Sequence, residues 1–246
     1  MSNDEPPAPI DAATVVVARD TADGVEVLML RKNSRIYFGG MWVFPGGRVD
    51  PEDRLAEHHV TDTFGGASLA GFRAAAVREA HEEAGIDLGG AQLHHFSHWL
   101  PPPIRPKRFS THFFLTQAPA DLDDVSIDHG EITEHAWISP TAALERRAAG
   151  DIEVVTPTFV TLDWLRRHDT VAGAVAGIDG PLAYHTRIHQ VEGADPGMIA
   201  LYHGDVAYES GDHGTAGPRR RAYMLESAWW WEEHDGLGNG PSPPPR

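Results

Sequence analysis

An α+β fold, a mixed sheet packed between helices with a C-terminal extension, is what this chain of 246 residues predicts. Three observations lead there. Two apolar, β-branched runs near the start face each other across a hairpin-type turn. A helical apolar stripe follows, and then strands and short helices alternate to about residue 150. Beyond Gly180 the pattern breaks into short segments separated by glycine and proline.

Taken in order, residues 1–12 are polar, Pro-rich and expected to be loose. Thr14 to Arg19 reads as a buried strand, and Val25 to Arg31 returns across the Ala22-Asp23-Gly24 turn. Arg31 to Gly40 is a basic loop ending in glycine, after which apolar Trp42-Val43-Phe44 runs into a Pro45-Gly46-Gly47 turn. Residues 54–66 read as an insertion. Ser68 or a neighbour can cap a helix running to Ala84, with Leu69, Phe72, Ala76 and Val77 as its buried stripe and Gly85 ending it. Gln92 to Leu100 and Arg108 to Ala118 alternate as paired strands around the Pro101-Pro102-Pro103 run. Glu131 to Ile138 is a further strand; Ser139-Pro140 opens a helix through Ala149, and Thr156-Pro157 one through about His168. Met198 to Tyr202 and Arg219 to Leu225 follow, then Trp229-Trp230-Trp231, a run suited to core or interface. The domain reading is a main domain over 13–155, an extension over 156–236 packed on it because its apolar segments look too sparse for a second core, and a loose tail over 237–246.

Charge narrows the partners. With 36 acidic against 20 basic residues the net charge is −16, which argues against a nucleic-acid backbone as partner. An anionic small molecule stays allowed, because a bound cation can invert the local field. Cysteine is absent, so disulfides and thiolate metal sites are excluded. Without a basic-plus-apolar leader or an apolar run near 18 residues, a soluble cytoplasmic protein with no membrane partner is expected.

Chemistry concentrates in Arg78-Glu79-Ala80-His81-Glu82-Glu83-Ala84-Gly85-Ile86. On a helix, Glu79, Glu82 and Glu83 fall at i, i+3 and i+4 and share one face. Three like charges that close repel one another, and a hard divalent cation is the natural neutraliser. A solvated acidic face is the ordinary alternative, but five specified positions at this spacing recur by chance in roughly one in several thousand chains of this length.

With Gly47 and Asp53 upstream, these residues resemble the Nudix hydrolase signature: glycine, five residues, an acid, seven residues, then Arg-Glu-apolar-x-Glu-Glu-x-Gly-apolar. Asp53 stands where that family usually has Glu. The gap from Asp53 to Arg78 holds 24 residues in place of seven, an interruption similar to the branch containing peroxisomal coenzyme A diphosphatases and bacterial relatives. The resemblance implies an α/β/α sandwich and Mg²⁺- or Mn²⁺-dependent hydrolysis of a nucleoside diphosphate derivative. Coenzyme A or acyl-coenzyme A would be the first substrate, then ADP-ribose or a nucleotide sugar; the rival is a catalytically silent module that binds a nucleotide as a sensor.

By the same resemblance, Glu82 and Glu83 are the principal metal ligands, Glu79 is a ligand or the base, Arg78 braces the array, and the Gly46 carbonyl adds a metal contact. Glu131, six residues before Trp137, is the further acid; Glu134 is expected to be structural. Asp53 would orient Arg78 or approach the metal through water. Arg31, Lys32, Arg35, Arg105, Lys107 and Arg108 are the basic residues near the presumed pocket, with Arg31, Arg35 and Arg108 the substrate-binding choices. Arg35 matches the coenzyme A diphosphatase pattern only in part, since four residues separate it from Gly40 where the pattern has three. A homodimer is the assembly related enzymes suggest. Zinc at His94-His95-Phe96-Ser97-His98 is disfavoured, because alternation puts His94 and His98 on one strand face and His95 on the other.

Overall fold

The computed structural model describes residues 8–35, 38–55, 63–64, 67–103, 107–120, 122 and 124–236. Residues group into two compact units, one of 9–98 with 109–182, the other of 1–8, 99–108 and 183–246. Of the expected insertion, 56–62 and 65–66 lie outside the described residues, as do 1–7 and the tail from 237.

In the larger unit, β1 (Ile10–Thr21) and β2 (Gly24–Lys32) form the expected hairpin, with Thr21 opposite Gly24. β1 starts inside the segment expected to be loose, because Ile10 to Ala13 pair with Phe109 to His112 of the parallel strand β8 (Phe109–Gln117). β1 also pairs antiparallel with β4 (Gly46–Arg48), while β2 pairs with β3 (Trp42–Val43) and with β9 (Ile132–Ile138). β7 (His94–Leu100) lies beyond β8, so the sheet is mixed, in the order β7-β8-β1-β2-β3. A short helix, α1 (Pro51–Arg54), follows β4; the small hairpin β5 (Thr63–Phe64) and β6 (Ala67–Ser68) leads into α2 (Leu69–Ala84).

α2 lies on the sheet through Phe72, Ala75, Ala76, Ala80 and Ala84, which pack with Val15, Val17, Leu28, Leu30 and Phe114. Leu69 and Val77 border this core. Small alanines bring the helix axis close to the strands, which is what carries its glutamates up to β4. Gly85 ends the helix at φ 69°, a left-handed conformation costly for any side chain, and its N–H donates to the His81 carbonyl at 2.9 Å. The unit is completed by α3 (Pro140–Ala148), whose N-cap Ser139 accepts from the Ala142 N–H, α4 (Thr156–Leu165) and α5 (Val171–Ala176).

β10 (Leu182–His185) leads into the smaller unit, an antiparallel sheet in the order β11 (Arg187–Val191), β12 (Gly197–Leu201), β13 (Arg219–Leu225), β14 (Trp229–His234). It has an apolar cluster of its own around Ile199, Leu201 and Ala207. Trp99 stacks on Tyr184 at 3.9 Å, and Trp231 packs against Tyr202. Arg221 and Asp205 form an ion pair with both side chains fully buried. Among the described residues no helix is long and apolar enough to cross a membrane.

Candidate active site

The last two turns of α2 carry Glu79, Glu82 and Glu83, the first and last of them against β4. Gly47 is what lets them approach: a Cβ there would lie 2.5 Å from the Glu79 carboxyl carbon, well inside contact. Next to it the Gly46 N–H donates to Glu83 Oε2 at 2.9 Å, tying helix to strand.

Arg78 is the hub of the polar network. Its Nη2 and Nε donate to the two Asp53 oxygens at 2.9 and 3.2 Å, and Nη2 also donates to the Arg48 carbonyl at 2.9 Å. Its Nη1 reaches Glu79 Oε1 at 2.9 Å and Glu82 Oε2 at 2.8 Å. Asp53, buried at the end of α1, also accepts from the Asp50 N–H at 2.8 Å, so the arginine is held from a rigid turn. Burial alone would lower the Arg78 guanidinium, but Asp53 and Glu79 outweigh it and push it up.

The acids differ in setting. Burial first, then the charges of Glu83 and Glu82, push the Glu79 carboxyl up to about 7 against the opposing pull of Arg78. Burial also raises Glu83, although Lys32 and the Gly46 N–H favour its ionised form. Glu82 is half exposed. Lys32 Nζ forms an ion pair with Glu83 and lies 3.6 Å from Glu131. Burial would lower this ammonium, yet Glu83, with Glu131 and Glu79 behind it, holds it above its ordinary value.

Several acids named from sequence are thereby drawn together: Glu79, Glu82 and Asp53 around Arg78, and Glu83 against Lys32 with Glu131 beside it. The basic residues separate. Arg31 pairs with Glu134, its cross-strand partner. Arg35 is exposed, its backbone N–H closing a turn onto Asn33 Oδ1 at 3.2 Å. Arg108 belongs to the smaller unit, where it reaches the Pro101 carbonyl at 3.5 Å, and Arg105 lies outside the described residues. Lys32, grouped by sequence with phosphate contacts, stands instead against a helix glutamate.

The histidines depart from strict alternation. His95 and His98 both reach His112 of the neighbouring strand, the first by a 3.0 Å hydrogen bond, the second stacked at 4.3 Å. Phe96 to Trp99 are all buried, so β7 has no solvent face here to separate them. Burial pushes His95 down to about 4 and His112 to about 3, and His112 packs on Phe72 at 4.0 Å. Neutral rings wedged against the core helix are packing elements.

Among the described residues, no three His, Asp or Glu side chains already converge as ligands, because Arg78 and Lys32 hold the helix acids. The donor set nonetheless fits a hard divalent cation. It is all oxygen, it sets two carboxylates against a strand with a third one turn away, and it lifts the Glu79 carboxyl in the way that added positive charge would relieve.

A NUDIX domain model matches residues 9–159. No curated protein sequence matches significantly. Among solved structures, a NUDIX hydrolase from Alicyclobacillus acidocaldarius is 23% identical with a TM-score of 0.62, over 70% of this chain and 97% of that one. A C. elegans Ap4A hydrolase in binary complex is 24% identical with a TM-score of 0.45, over 63% and 93%. The NUDIX domain of Shewanella oneidensis NrtR, complexed with ADP ribose, is 13% identical with a TM-score of 0.43, over 65% and 90%. The domain model alone spans well over half of the sequence and contains every carboxylate of the site, so this chain belongs to the Nudix family of hydrolases.

Proposed function

We propose that the chain is a Mg²⁺- or Mn²⁺-dependent diphosphatase that hydrolyses the pyrophosphate linkage of a nucleoside diphosphate derivative. Coenzyme A or an acyl-coenzyme A is the first substrate, because the signature is interrupted between Asp53 and Arg78 as in that branch; ADP-ribose or a nucleotide sugar comes next. The observation that carries the reading is the packing of Glu79 against Gly47 and of Glu83 against Gly46, with Glu79 and Glu82 held by Arg78.

Glu82 and Glu83, with the Gly46 carbonyl, would hold the ion, and Glu79 would be either a further ligand or the base. Bound there, the ion would neutralise phosphate oxygens and polarise a water. Glu79 is the acid suited to the proton. A carboxyl at about 7 is half ionised at neutral pH, so it can accept a proton from the attacking water and release it afterwards. The water oxygen bonds to one phosphorus, the bridging P–O bond breaks, and the leaving phosphate departs with the electron pair. Arg78 keeps Glu79 and Glu82 aimed while Asp53 fixes Arg78. Glu131 faces the array from the start of β9 and is the further acid. Arg35 is free to meet a remote phosphate; Arg31 would first have to leave Glu134.

The test is incubation with Mg²⁺ or Mn²⁺ and a panel of coenzyme A, acyl-coenzyme A, ADP-ribose, NADH and dinucleoside polyphosphates, with products followed by mass. Cleavage of coenzyme A into phosphopantetheine and adenosine bisphosphate supports both chemistry and branch. Cleavage of another member keeps the chemistry and discards that substrate. Nucleotide binding without turnover under either metal would favour the sensor reading instead.

A further inference from the structure

Both oxygens of the Glu83 carboxylate are already engaged. Oε1 takes the Lys32 ammonium and Oε2 the Gly46 N–H at 2.9 Å, and the Glu83 and Lys32 side chains are only 5% and 11% exposed. Any cation that reaches Glu83 must therefore share or replace Lys32. Arg78 occupies the matching place on Glu79 and Glu82, but it cannot leave cheaply, being fastened to both Asp53 oxygens and to the Arg48 carbonyl. Among the described residues Lys32 has no such anchor. Its ammonium pairs with Glu83 and Glu131, both acids of the site, and only its backbone is fixed, through the Met41 carbonyl and the Gly40 N–H at 2.9 Å each. An ammonium on a flexible stem can swing without moving the strand; a clamped guanidinium cannot.

We propose that Lys32 is a built-in counter-cation that competes with the divalent ion for Glu83 and passes to a substrate phosphate when the ion binds. This rests on the metal-dependent reading above. A buried carboxylate without a partner is costly, so the ammonium keeps Glu83 compensated in the metal-free chain. Displaced from Glu83 by the ion, it stays at the mouth of the same acid cluster as a mobile donor, with only the exposed Glu131 beside it. Arg78 positions the acids and Lys32 exchanges between them and the anion.

The experiment compares wild type with Lys32→Met, which keeps most of the stem and removes the charge, and with Lys32→Arg, which restores a cation. Mn²⁺ binding is followed by electron paramagnetic resonance of the free ion at pH 8, without substrate. Lys32→Met should bind Mn²⁺ about tenfold more tightly than wild type, the size expected when a charge-assisted hydrogen bond no longer has to be broken. Its metal-free melting temperature should fall and its Mn²⁺-induced rise should grow. With Mn²⁺ present it should bind inorganic pyrophosphate several-fold more weakly. Lys32→Arg should return both affinities toward wild type. A merely structural lysine would weaken both affinities on removal, so opposite signs are the signature. Equal or weaker Mn²⁺ affinity in Lys32→Met overturns the inference, and so does unchanged pyrophosphate affinity. Should Lys32→Met fail to fold, the same readings are taken on Lys32→Gln. Absence of Mn²⁺ binding by wild type would instead overturn the metal-dependent reading itself.

Discussion

Replacing Gly47 with alanine exchanges one hydrogen for a methyl group, yet it should cripple the enzyme while leaving it folded. The new Cβ would sit 2.5 Å from the Glu79 carboxyl carbon and 2.7 Å from Oε2, where ordinary contact begins near 3.4 Å. Glu79 must therefore retreat by nearly 1 Å. The obstructing atoms are the far end of a flexible side chain, so the retreat needs only a rotamer change, costing about 0.5–1.5 kcal/mol. The functional cost is larger, because misplacing a catalytic group by 1 Å can lose about a hundredfold in rate. Steady-state turnover and thermal melting measured on the same preparation separate the two effects. Expected is a kcat lower by about a hundredfold with a melting temperature within a few degrees of wild type. Activity within a factor of three of wild type would refute the claim that Glu79 works from this position.

Glu83→Gln should cut turnover by several orders of magnitude with the fold intact, since it removes charge from the ion's anchor; unchanged steady-state rates would reject α2 as the site. Metal affinity should rise about tenfold per unit as pH climbs toward 7 and level off above it, because the Glu79 carboxyl, pushed up to about 7, must lose its proton to act as a ligand; Mn²⁺ titrations at pH 5.5 to 8.5 check this. In the smaller unit, Asp205→Asn strands the buried Arg221 charge and should cost about 3–5 kcal/mol in denaturant unfolding. Burial works against the Asp205 carboxylate, but Arg221 and backbone N–H groups hold it below its usual range. Its contribution is thus present above pH 3.8 and lost as pH falls, and the variant should lose that part of the acid-side slope.

The larger unit was legible because its signals are local. Phe72, Ala76 and Gly85 carry both the period and the stop of α2, and Thr21 to Gly24 carries the hairpin. Lys32 shows where local signals end. Neighbouring residues on a regular strand point to opposite faces, but the register of β2 against β9 shifts between Arg31 and Lys32. Which of them faced α2 depended on the register of β2 against β9, a pairing between residues about a hundred positions apart. The histidines failed for a related reason, since alternation predicts separate environments only when one strand face is open. In the smaller unit, Arg187-Ile188-His189-Gln190-Val191 is too polar to announce a strand, and Trp229 to His234 read as an aromatic run before it could be read as an edge.

The interruption of the signature illustrates how little chain distance matters to this site. Asp53 and Arg78 are 25 positions apart, yet two hydrogen bonds to the hub, at 3.2 and 2.9 Å, run between them. Lengthening a loop costs only about 0.6 kcal/mol for each doubling, so residues can be added between α1 and α2 at small cost if both ends stay put. The ends are fixed independently: α1 by its turn from Asp50, α2 by the alanine face packed on β1 and β2. The shorter aspartate suffices at position 53 because α1 brings the carboxylate to the guanidinium and need not send it there on a longer stem. Selection on such a site acts on the two anchors and the fork between them, and the intervening residues are free to take on another task.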